Sequence, residues 1–588
     1  MASIGDVYQA AVQAHQAGRL ADAERLYRQV LAAEPQHAYA LDMLGLLALQ
    51  AGHADVAREL IGRAIALAGN VPLFHVHFGS ALHVVGRRGE ARTSFERALA
   101  LDANTVEALL ALAHLERQEG HTDRARACLQ QATAVQPAAA GGHYQLGNLE
   151  AAAGNWSLAE QCFRAALAID SRSAPAEARL GVTLQAQQKL DEAVEHYRKA
   201  LALDPNSAEA HYNLGTALAE MGQAQEAVTH YEAAIRIQPN HASAHTNLGA
   251  FYQEALDYER ALAHYEAVLR VEPHAAEAHY NRALMLLTRG ELAAGWQEYE
   301  WRLRLPGFPI HVMREPLWDG SPLIDKTLLV HAEQGLGDTL HFIRYIPLVK
   351  KLCPRLLVQV PPALVPLLTH SGFGDLLVTD DALPAFDVQV PMLSLPWLLG
   401  TTPENIPAPI PYLGVPDDMV TNWRRRLSDV EGFRVGIAWQ GSPANKGDWR
   451  RSMPLSEFAP LASVRGVTLV SLQKRDGERQ LRDAGFPLYE LQGVWDEMAG
   501  PFVDTAAVIQ NLDLVITADT ATAHLAGALG ARVWVPLGTK ADWRWFLDRS
   551  DTPWYPTMRF YRQTQIGEWG DVFARMADDL AACAEKSA

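Results

Sequence analysis

At 588 residues the chain is too long for one ordinary domain and reads as three or four, or as a repeat array joined to something compact. Apolar residues make up 49% and charged residues 20%, with no run of about 18 uncharged apolar residues; this excludes long intrinsic disorder and a membrane span. The net charge of −17, from 68 acids and 51 bases without a basic block, argues against nucleic acid or an anionic membrane as partner.

The start, MASIGDVYQAAVQ, has neither a basic n-region nor an apolar h-region, so a cytoplasmic location is expected. The four cysteines, Cys128, Cys162, Cys353 and Cys583, form no CxxC pair, which leaves zinc and redox readings weak. Cys128 and Cys162 stand 34 residues apart and are read as buried small residues.

That spacing is a repeat period. A small residue recurs every 34 positions at Gly45, Gly79, Ala113, Gly147, Gly181, Gly215, Gly249 and Ala283. Alanines recur in step from Ala23 to Ala261, each followed four residues later by a large apolar residue, from Tyr27 to Tyr265. Prolines or turn residues close the units. The pattern resembles the tetratricopeptide repeat, and the physics agrees with it: a small residue lets the two helices of a unit approach, the large residue plugs the gap, and proline stops the second helix. The array is expected over 4–309 as an all-α superhelix of about nine units, the last merging into a linker. A concave face of this kind suits an extended peptide. Asn213, Asn247 and Asn281 share one phase, and their amides can each donate to and accept from a peptide backbone; the alternative is that Asn is simply common at that position. The aromatic and alanine stripes are core.

Past Arg304 the period stops. Short apolar runs appear at 327–331, 355–360, 387–391, 433–439, 467–473, 512–518 and 532–537, alternating with helix-like stretches. Buried strands between helices predict an α/β architecture with parallel sheets. A Pro-rich stretch, 401–418, divides the region into two Rossmann-like halves, 322–415 and 425–588, with a cleft between them.

Four motifs fall after predicted strands. In HAEQGLGDTLHF, Gly335 and Gly337 allow a tight turn, and Asp338 stands at the strand's carboxyl end as a candidate general base or as a helix cap. His331 is a rival base, read first as a buried structural histidine. In LDLVITADTATAH, Asp519, Thr520 and Ala521 open a helix whose free N–H groups suit a diphosphate, and His524 adds a donor one turn in. In VGIAWQGSPANKGDWRRSMP, Gln440 ends a strand, and Lys446 and Arg451 can balance phosphate charge, or form a solvated basic loop. In VSLQKRDGERQL, Gln473 can read a base or ribose, or serve as a polar turn.

Together these motifs resemble the GT-B glycosyltransferases of the heptosyltransferase-like family 9 type, over about 322–575. The resemblance implies that Asp338 is the catalytic base and that Asp519, Thr520 and His524 hold the donor diphosphate. Ala521 replaces a usual Gly, and Arg451 replaces a usual Lys. Repeats fused to such a domain resemble bacterial protein O-glycosyltransferases, flagellin glycosyltransferases among them, and the plan is similar to that of the eukaryotic O-GlcNAc transferase. The segments DWRWF and PWYP look like signatures of the repeat-fused group, with Trp543, Trp545, Trp554 and Tyr555 read as core plugs or as sugar-stacking residues. The expectation is an inverting transfer from a nucleotide-sugar, the co-substrate, to Ser or Thr hydroxyls of a protein bound by the repeats, without a metal or a resident cofactor. The alternatives are a catalytically inactive scaffold and a glycan acceptor.

Overall fold

The computed structural model describes residues 3–307, 313–379, 383–407, 410–444, 447–474, 476–491, 495–497 and 500–587. Residues 4–299 form eighteen helices in nine hairpins, from Ile4–Gln16 and Leu20–Ala33 to Ala276–Thr288 and Leu292–Tyr299. Small residues on the first helix do what the period suggested. A Cβ at Gly79 would stand 2.5 Å from Phe95, and one at Gly181 would stand 2.6 Å from Tyr197, so the large residue of the second helix occupies the space a side chain would take. Those plugs are buried, Tyr197 to 0% exposure, and each stabilises its hairpin by about 1.5–3 kcal/mol. The turn between the helices uses a left-handed glycine at positions 18, 52, 86, 120, 154, 222 and 290. Gln188 and Leu256 take the same conformation at the same phase, with φ of 61° at both. A side chain in that region costs about 1–2 kcal/mol.

The chain divides into two compact units, Met1–Ala244 and His245–Ala588. The border therefore falls inside the repeat array and not at the expected 309. The reason lies in packing. Ala283, Leu287, Leu292, Trp296 and Tyr299 of the ninth hairpin share one apolar core with the strands and helices that follow. Trp296 meets Trp543 edge-on with ring centroids 5.1 Å apart.

Within the second unit the seven expected strands form, at β1 (Leu328–His331), β2 (Leu356–Gln359), β4 (Val388–Pro391), β5 (Phe433–Ala438), β6 (Val467–Ser471), β8 (Leu514–Thr517) and β9 (Val533–Leu537). Three more appear: β3 (Leu377–Val378), β7 (Tyr489–Glu490) and β10 (Met558–Arg562). They build two sheets, ordered β3-β2-β1-β4 and β10-β9-β8-β5-β6-β7, and every pairing is parallel. In the larger sheet the order departs from the chain sequence where β5 pairs with β8, and in the smaller where β1 pairs with β4. Such reversals open a crevice at the carboxyl ends of the strands, where open α/β sheets bind ligands. Among the described residues no helix is long and apolar enough to cross a membrane.

Histidines pair across two of the hairpins. His211 and His230 approach Nδ1 to Nδ1 at 3.0 Å, and His245 and His264 at 2.9 Å. One nitrogen of each pair must be bare for the other to donate. Burial, with the neighbouring His245 second, pulls His264 down from 6.5 to about 4. Unfolded chain therefore takes a proton on this group between those values while folded chain does not, and stability falls as pH drops through that window. Thermal melts should show stability falling from neutral pH toward pH ~4, and His264→Leu should flatten that slope.

Candidate active site

The loop after β1 is fixed from below. The Glu333 carboxylate receives two hydrogen bonds from Arg302, Nε at 2.8 Å and Nη2 at 2.9 Å, with both side chains fully buried. Glu333 also accepts from the Leu393 N–H at 3.0 Å. The chain then turns at Gly335 into the helix Leu336–Phe342. Asp338 accepts from the Gly335 N–H through Oδ2 at 3.0 Å, so it caps this helix. Its other oxygen pairs with Arg544, which also bonds Asp542 at 2.8 Å and lies over the Trp543 ring. Asp338 remains 19% exposed. Burial raises its carboxyl above the usual Asp range, against the pull of Arg544. A carboxylate offers about four acceptor positions, and two are taken here.

The loop after β8 stands opposite. Thr520 is extended and precedes the helix Ala521–Ala528, whose first turn has no acidic residue and no side-chain cap. Asp519 is pushed up to about 7, by burial first and by Asp542 second, with Arg451 and Arg544 opposing. Arg451 Nη1 donates to the Asp519 carbonyl at 3.2 Å, which sets a guanidinium beside the helix start. The two helices pack through their first turns. A Cβ at Gly337 would stand 3.0 Å from His524 Cδ2 and 3.5 Å from Ala521 Cα. Gly337 thus serves close helix contact, a role the motif alone did not reveal.

The loop after β5 is knit by Asp448, which accepts from Arg451 Nε at 3.1 Å and Ser452 Oγ at 2.7 Å; Ser452 Oγ in turn accepts from the Gly441 N–H at 2.9 Å. Arg450 donates to Glu254 of the eighth hairpin at 2.9 Å, and Lys540 joins the same carboxylate. Lys446 lies outside the described residues. Gln473 is spent on backbone: its Oε1 accepts from the Trp439 and Gln440 N–H groups at 3.0 Å each, and its Nε2 donates to the Asp476 and Gln440 carbonyls. It holds the ends of β5 and β6 together and has no amide group left to read a base. Gln440 Oε1 accepts from Gln480 Nε2 at 3.1 Å. His331 is fully buried, with Nε2 2.8 Å from Gln389 Oε1, as its structural reading expected.

Asn213, Asn247 and Asn281 are each half-buried, and among the described residues their amides make no hydrogen bond. Asn213 lines a cavity of about 170 Å³ with Tyr144, Arg179, Val182 and Glu209. Trp545, Trp554 and Tyr555 are fully buried and Trp543 nearly so, which fits core plugs.

Sequence reading missed Arg302, Glu333, Asp542 and Arg544. The signal the sequence offers is an arginine set between two tryptophans and two residues after an aspartate in DWRWF.

Family models for the tetratricopeptide repeat match residues 8–72, 110–174 and 252–300, and a TPR repeat model matches 181–222 and 215–255. The chain carries tetratricopeptide repeats. "Protein FlbA" of Caulobacter vibrioides is 28% identical over 330 residues, 51% of this chain and 54% of that protein, so the chain spans about half the length of this relative. Among solved structures, YrrB, described as a TPR protein with an unusual peptide-binding site, is 23% identical over 31% of this chain and 95% of its own, with a TM-score of 0.29. MamA is 24% identical over 28% and 96%, with a TM-score of 0.27, and pilF of Pseudomonas aeruginosa is 18% identical over 36% and 96%, with a TM-score of 0.33.

Proposed function

We propose that the chain is a GT-B-type glycosyltransferase that moves a sugar from a nucleotide-sugar to a Ser or Thr hydroxyl of a protein held by the repeats. The observation that carries this reading is the meeting of two strand-order reversals: the Gly335–Asp338 turn after β1 packs against the start of the Ala521–Ala528 helix after β8. A donor diphosphate fits the second, where open N–H groups, the helix dipole and Arg451 favour negative charge. Asp338 is the group at the first with acceptor capacity to spare. In the reaction the acceptor oxygen attacks the anomeric carbon, the bond from that carbon to the phosphate oxygen breaks, the nucleoside phosphate leaves, and Asp338 takes the hydroxyl proton. The reaction as written needs no metal, because Arg451 and the helix start meet the leaving charge. The unengaged amides of Asn213, Asn247 and Asn281 support a peptide acceptor, and the resemblance makes flagellin the first to try.

A second reading, a scaffold without activity, draws on the ion pair between Asp338 and Arg544, which occupies one oxygen of the intended base. A thermal-shift screen separates the two. The full chain should melt higher with one nucleotide or nucleotide-sugar from the ADP, CMP, GDP and UDP series, by about 2.7 kcal/mol of stabilisation at a hundredfold excess over Kd. Arg451→Glu should lose that shift. A folded wild-type sample that shifts with none of them would favour the scaffold.

A further inference from the structure

Behind His524 lies a buried hydroxyl between two imidazoles. Tyr555 Oη is 2.9 Å from His341 Nδ1 and 3.0 Å from His524 Nδ1, and the two Nδ1 atoms are 3.3 Å apart. All three side chains are at most 6% exposed. The tyrosine ring fits because residue 527 is glycine; a Cβ there would stand 2.6 Å from its Cδ1. Arg344 lies 4.6 Å over the same ring and ties Tyr412, while Trp545 stacks on His524 at 5.1 Å. The cluster is therefore fixed in place.

A hydroxyl has one proton. Tyr412 Oη also lies 3.4 Å from the Tyr555 hydroxyl, but it gives its own proton to the Leu340 carbonyl and the two imidazoles are nearer. Two N–H groups, or two bare nitrogens, would repel across the 3.3 Å between the Nδ1 atoms, so the hydroxyl donates to one Nδ1 and accepts from the other, and the two imidazoles take opposite tautomers. His341 decides which. Its Nε2 is buried and has no partner among the described residues. A proton there would be an orphaned donor, the costlier of the two choices, so His341 carries its proton on Nδ1 and donates. Tyr555 then donates to His524 Nδ1, which leaves the His524 proton on Nε2. That edge of the ring faces the Gly337 turn, with Nε2 3.7 Å from the position of a Cβ there. Burial keeps both imidazoles well below their ordinary pKa and the phenol well above its own, so the three groups stay neutral.

We infer that Tyr555 and His341 are positioning residues that hold His524 with its proton on Nε2, and that this N–H donates to a diphosphate oxygen of the nucleotide-sugar. The inference rests on the donor-site reading above and deepens it: the site takes an anion through a neutral, tautomer-locked donor as well as through Arg451.

The test uses the full chain labelled with ¹⁵N-histidine and read by long-range ¹H–¹⁵N spectra near neutral pH, with His524 assigned by comparison with His524→Gln. The expected pattern is a protonated Nε2 and a bare Nδ1 on His524, and the converse on His341. Tyr555→Phe should remove the preference and weaken ADP, GDP or UDP, whichever the wild type binds, by roughly 10- to 100-fold in calorimetry. A wild-type His524 protonated on Nδ1 overturns the relay, and that spectrum decides even if Tyr555→Phe does not fold. The expected tautomers in a protein that binds no nucleoside diphosphate would uphold the relay and overturn the donor-site reading, with the ligand half of the inference.

Discussion

Asp338→Asn is expected to lower kcat for sugar transfer by about 10²–10⁴-fold, while nucleotide binding at the Ala521–Ala528 helix persists. Intact-mass analysis of an acceptor protein, with a thermal-shift control for nucleotide, reads both effects. The substitution keeps an oxygen to cap the Gly335 N–H, and Arg544 keeps Asp542, so the turn should survive. What is lost is the acceptor for the hydroxyl proton. Because burial raises the Asp338 carboxyl above 3.8, the acid limb of kcat/KM should lie above that ordinary value, with activity falling as the group takes up a proton. Full activity in the Asn variant would remove Asp338 from the reaction. Asp519, held at about 7, would then be the next carboxylate to test, since His331 is sealed against Gln389.

Glu333→Gln should destabilise the second unit by about 3–5 kcal/mol, because it leaves the Arg302 charge in the core without its two-point partner. Glu300 bonds Arg302 at Nη1 and softens the loss, and Ser394 bonds Nη2, but neither replaces the fork. Arg302→Met combined with Glu333→Leu should recover part of the stability and not all of it, since the Leu393 N–H loses its acceptor and Glu300 loses the guanidinium it pairs with. Denaturant midpoints of the two variants measure the difference. Equal losses in the single and double variants would mean that the pair carries no special cost when broken. The pair also holds the Glu333–Asp338 turn, so transfer activity should fall with the single variant beyond what unfolding explains.

The repeats were legible because one rule recurs every 34 residues, so errors at one unit are corrected by the next. The exceptions were not legible. Nothing at Gln188 or Leu256 signals a left-handed turn, and only the phase of the glycines around them makes sense of it. Seven strands were readable as buried apolar runs. Strands β3 and β7 have two residues each at sheet edges, too few to carry a pattern, and in β10 Arg559 and Arg562 break the apolar run.

In the site, each local motif was visible and its partner was not. Arg544 lies 206 residues from Asp338, and Tyr555 lies 214 residues from His341. No periodicity links such pairs; they meet because two sheets place their crevices together. Gln473 shows the opposite failure: its polar side chain at a strand end suggested a ligand, and the backbone had already claimed it.

The ninth hairpin carries one more implication, for exchange between proteins. A repeat array that ended cleanly at its last helix could be traded as a cassette, giving the same chemistry a new client. Here a splice at residue 309 would sever Trp296 and Tyr299 from Trp543, and Arg302 from Glu333, and so cut through a core. The first seven hairpins belong to the other compact unit, so a graft designed near residue 244 leaves the α/β core whole, with the last two hairpins travelling with it.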